Sequence, residues 1–94
     1  MNYPLIVTVL DNIFQKVDAQ TLVTGTIYED VEELNDDLEN YMDEMTDNNG
    51  NWIQYLDLNF KEDGNWSKIA TLNNWGAFWE EQVALYKSAK QATK

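Results

Sequence analysis

The side chains in this chain that could do chemistry are its carboxylates. Seventeen Asp and Glu residues stand against six lysines, with no histidine, cysteine or arginine, for a net charge of -11. Two carboxylates suffice to hydrolyse a glycoside, but they must sit in environments that push their pKa values apart. The one candidate for a carboxylate isolated in an apolar context is Asp57, flanked by Leu56 and Leu58. On an alternating strand it would face away from those leucines, toward water. Ser67 and Ser88 have no histidine to activate them, and Ser67 with Lys68 would point to opposite faces of a strand. Without histidine and cysteine, the proton shuttle active near neutral pH, the usual triads, thiolate chemistry and the common transition-metal ligands are all missing. No catalytic residue, cofactor site or metal site is expected, and the expectation is a non-enzyme.

The stretch Asp47-Asn48-Asn49-Gly50-Asn51 resembles a calcium loop in composition only, because the position that should hold the first ligand is Met45. It suits a helix-ending turn better. Gly25, Gly50, Gly64 and Gly76 are scattered and form no phosphate-binding loop.

What remains is the placement of the acids. From Glu29 to Asp47 the chain reads EDVEELNDDLENYMDEMTD, with ten acids and no lysine, whereas the other 75 residues carry seven acids against six lysines. Val31, Leu34, Leu38, Tyr41, Met42 and Met45 recur at three- and four-residue spacing within that segment, which predicts a helix over 30–47 with one apolar stripe. Asp30 with Glu33 fits an N-capping pattern, and Asn48-Asn49-Gly50 tolerates left-handed backbone at the far end. Such a helix is about 27 Å long and presents a carboxylate every ~3 Å, close to the ~3.4 Å phosphate spacing along one DNA strand. Met42, Met45 and Tyr41 would line either a core or a homodimer seam.

Local stability does not account for this pattern. Asp43, Glu44 and Asp47 lie at the end of the helix where the macrodipole disfavours them. Pairs such as Glu32/Asp36, Glu39/Asp43 and Asp43/Asp47 each cost about 0.2–0.5 kcal/mol. A face serving solubility alone would normally mix both signs. Direct binding to nucleic acid or to an anionic membrane is disfavoured by the charge.

By its density of charge, the segment Glu29–Asp47 resembles the small acidic inhibitors of bacteriophages and mobile elements that imitate DNA. That resemblance implies an anti-defence protein, such as an anti-CRISPR or antirestriction inhibitor, whose partner is a basic nucleic-acid-binding protein of the host. It implies nothing about fold. The residues expected to bind the partner are Glu32, Glu33, Asp36, Asp37, Asn40, Asp43, Glu44 and Asp47. The competing reading is a protein-interaction module that binds through exposed tryptophans among Trp52, Trp66, Trp75 and Trp79, with the acidic helix only a solvated face.

Around this helix the expected architecture is a single α+β domain spanning residues 1–94. Residues 4–18 fit a helix, with Ile6, Val9, Leu10, Ile13, Phe14 and Val17 on one side, but LIVTVL also has strand composition. Thr21–Tyr28 reads as a strand. Residues 51–72 read as a β-hairpin turning at Asp63-Gly64, giving an antiparallel sheet of about three strands. A closing helix is expected over 75–91, with Lys87, Lys90 and Lys94 at its C-terminal end. No apolar run is long enough to cross a membrane, and the N-terminus has no signal-peptide pattern, so the expected compartment is the cytoplasm, the host's if the protein is phage-encoded.

Overall fold

Apolar residues of the first segment settle into the helical option. In the computed structural model, which describes residues 1–92, α1 runs Tyr3–Lys16 and buries Ile6, Val9, Leu10 and Ile13. The Asn2 side chain caps it by accepting the Leu5 N–H at 3.0 Å, and Pro4 occupies the first turn, where no backbone donor is needed. The acidic segment forms α2, Val31–Thr46, which buries Leu34, Leu38, Tyr41 and Met45 and packs along α1. Asp30 caps α2 by accepting the Glu33 N–H at 3.0 Å, and the Glu33 carboxylate accepts the Glu29 N–H at 2.7 Å. At the other end Asn48 takes φ +56°, and the Asn49 N–H returns to the Glu44 carbonyl at 2.9 Å, closing a Schellman-type stop.

The expected α+β architecture is overturned: the protein is all-helical, and the described residues contain no strand. Residues 51–72 are not a hairpin. A short 3-10 turn, Gly50–Trp52, leads into α3, Ile53–Phe60, and α4 follows at Asn65–Leu72. The buried residues of α3 are Ile53, Leu56, Asn59 and Phe60, a helical spacing. Leu58, which alternation would have placed beside Leu56, is 54% exposed.

The intervening turn needs Gly64 for space, not for its backbone angle. A Cβ there would collide with the Leu58 carbonyl oxygen and lie 2.7 Å from that of Asn59. The Ser67 hydroxyl braces the turn by donating to the Lys61 carbonyl at 2.6 Å. After α4, Asn74 adopts φ +55° and the Trp75 N–H returns to the Ala70 carbonyl at 2.9 Å, a second Schellman-type stop. Helix α5, Gly76–Gln91, packs against α1 and α4. Gln82 on α5 is 1% exposed, and its side-chain oxygen accepts from the Asn12 amide at 3.1 Å.

Thr21–Tyr28 is likewise not a strand, because the structure offers it no strand to pair with. Side-chain amides do that work. Asn73 accepts the Leu22 N–H at 2.8 Å and donates to the Leu22 carbonyl at 2.9 Å, and Asn65 accepts the Ile27 N–H at 3.3 Å. The segment is pinned across α4 as an ordered connection, with Val23 and Tyr28 buried. Among the described residues, no helix is long and apolar enough to cross a membrane.

Candidate partner-binding face

Successive residues of a helix rotate by about 100°, so α2 divides its acids by position. Burying Leu34, Leu38, Tyr41 and Met45 turns Glu32, Asp36, Asn40, Asp43 and Asp47 outward, and all five are exposed. Their four- and three-residue spacing makes one ridge about 22 Å long. Glu39, which was not among the expected residues, is exposed beside this ridge.

The other three expected residues have internal duties. Glu33 is exposed, but its N–H is capped by Asp30 and its carboxylate accepts the Glu29 N–H just before the helix. Asp37 is half-buried, and its carboxylate accepts the Tyr28 hydroxyl at 2.8 Å. Glu44, also half-buried, accepts the Asn49 side-chain amide at 2.7 Å. The Asp30–Glu33 spacing marks Glu33 as a capping residue, whereas the bonds of Asp37 to Tyr28 and of Glu44 to Asn49 depend on the path of the flanking connections.

Among the described residues, no cation forms an ion pair with the ridge. Two ion pairs form among the described residues, Lys61 with Asp63 and Lys90 with Asp57, and neither uses a carboxylate of α2. The last turn of α2 contains no basic residue. No group of three or more acidic side chains among the described residues has the geometry to hold a metal ion.

The tryptophans are placed by packing. Trp66 and Trp75 are buried, and Trp52 and Trp79 are half-buried. Trp66 stands edge-on to Tyr41 and to Phe60, with ring centroids 5.5 and 5.4 Å apart, so rings from α2, α3 and α4 meet at the core. Asp57 is not the isolated surface acid that a strand would have made it. It sits on α3, where it accepts the Tyr86 hydroxyl at 2.7 Å and the Lys90 ammonium at 2.5 Å. Tyr86 is pushed well above the usual tyrosine pKa, by burial first and then by its bond to Asp57. The exposure of Leu58 also depends on α3 being a helix, because strand alternation would have placed it on the face of Leu56.

Comparison with protein-family models, curated proteins and solved structures gives no match to this chain.

Proposed function

We propose that this protein is an acidic inhibitor that imitates nucleic-acid phosphates and occupies the binding groove of a DNA- or RNA-binding host protein, in an anti-defence role. The observation that carries this reading is the ridge Glu32, Asp36, Asn40, Asp43 and Asp47, exposed along α2 and without an ion-pair partner among the described residues. Surface charge that served only the protein's own stability would be interleaved with lysine. Here the cost of like-charge repulsion is left standing. A linear array of this kind steers a basic groove onto itself quickly and in a salt-sensitive manner.

The test is capture of proteins from bacterial lysate on the immobilised protein, eluted with a salt gradient in the presence or absence of duplex DNA. A nucleic-acid-binding protein should be retained, displaced by DNA and released at moderate salt. The variant Glu32→Gln/Asp36→Asn/Asp43→Asn/Asp47→Asn should remain folded and bind that protein at least about tenfold more weakly. Unchanged binding by the folded variant, or retention indifferent to DNA, would rule out phosphate imitation.

A further inference from the structure

A second feature stands apart from the acidic ridge. Three of the six lysines, Lys61, Lys87 and Lys90, converge on an open cleft of about 530 Å³ to which α2 contributes no residue. That volume is within the range of small-molecule sites. Stacked rings from α3 and α5 form its apolar wall: Phe60 lies on Tyr86, with centroids 4.1 Å apart and planes 13° apart, and on Trp79, at 5.3 Å and 7°. Trp79 stands at the end of this stack and is half-buried.

The charges around these rings are unequally used. Lys90 is committed to Asp57 and lies over the Tyr86 ring. Lys61 has only the loose pair with Asp63 at 3.6 Å, between two exposed side chains, an arrangement worth little in water. Lys87 makes no ion pair among the described residues. The lining holds two carboxylates, Asp57 and Glu62, against three lysines, so the cleft carries a net +1 within a chain of net charge -11.

We propose that this cleft binds a small planar aromatic carboxylate, with its ring against Trp79 and its anionic group between Lys61 and Lys87. A monoanion balances the excess charge of the lining. A carboxylate supplies that single charge, where a phosphate monoester would bring about -1.5 to -2, and the flat apolar wall favours a ring. This site is independent of the phosphate-imitation reading, and neither stands or falls with the other.

The probes are naphthoate and its neutral counterpart naphthamide, titrated into the full chain at pH 7 and followed by NMR. Naphthoate should give saturable shifts at the Trp79 indole and at Lys87, and naphthamide should bind about tenfold more weakly. The variant Lys61→Gln/Lys87→Gln changes two exposed side chains and should lower naphthoate affinity to the naphthamide level, with the helical circular dichroism unchanged. Equal affinities for the two probes, shifts centred elsewhere, or no saturable shift by about 5 mM would overturn the proposal.

Discussion

The Tyr28 hydroxyl donates to Asp37 at 2.8 Å and accepts the Trp66 indole N–H at 2.9 Å, so one hydroxyl joins the acidic helix to the most deeply buried tryptophan. It fixes the connection between α1 and α2 against the core and holds the Asp37 carboxylate at the flank of the ridge. The acids of α2 therefore fall into two groups, those that hold the fold and those that only face water.

Tyr28→Phe should destabilise the protein by about 1–3 kcal/mol, because the indole N–H of Trp66, a residue 1% exposed, loses its acceptor. Urea unfolding measures this directly. Asp36→Asn, next to Asp37 in the chain but on the exposed ridge, should shift the stability by under about 0.5 kcal/mol and in the stabilising direction. Equal losses in the two variants would contradict the division.

Alkaline pH should unfold the protein. Burial raises the pKa of Tyr28, Tyr41 and Tyr86, helped by Asp37 at Tyr28 and Tyr41 and by Asp57 at Tyr86. In the unfolded chain these hydroxyls ionise near pH ~10, while the folded state keeps its protons. Stability is therefore fully present below that pH and falls as pH rises above it. Tyrosinate absorbance from these residues should appear together with the loss of helical circular dichroism. Full ionisation near pH ~10 with the helices intact would refute this.

Two glycine substitutions separate space from backbone angle. Gly64→Ala forces a Cβ into the carbonyls of Leu58 and Asn59 and should cost more than about 2 kcal/mol. Gly25→Ala meets open space but sits at φ +81°, and should cost about 1 kcal/mol. Thermal melts of the two variants should rank in that order, and the reverse ranking would show that the α3–α4 turn relaxes freely.

Salt should stabilise this protein. Carboxylates along α2 repel one another with no lysine among them, and raising ionic strength toward 1 M shortens the screening length to about 3 Å. The melting temperature should rise between low salt and about 0.5 M NaCl, and the quadruple ridge variant should lose most of that rise. A melting temperature that falls with NaCl in the parent protein would mean that attractive pairs outweigh the repulsion.

The acidic helix was legible in the sequence because every determinant of it is local. Its apolar stripe runs for four turns, Asp30 and Glu33 mark its start, and Asn48 supplies the left-handed residue at its end. A pattern that long fits only one periodicity. Its charge was equally plain, since composition does not depend on folding.

Residues 51–72 were not legible because eight-residue segments satisfy both periods. Trp52, Leu56, Leu58 and Phe60 alternate as a strand would, while Ile53, Leu56 and Phe60 fall on one side of a helix. In the helical form the Phe60 ring stacks on Tyr86 and Trp79 from α5, a contact between elements that the local pattern does not contain. Once α3 and α4 are helices, Thr21–Tyr28 has no strand to pair with, and Asn65 and Asn73 take over its backbone groups.

The sequence by itself thus determined the acidic helix, its caps and the sign of its face, because these follow from neighbours three and four residues apart. Only the tertiary structure decided that the remaining short segments are helices, that Asp37 serves the fold through Tyr28, and that Lys61, Lys87 and Lys90 share one cleft, because these depend on contacts that no three- or four-residue spacing encodes.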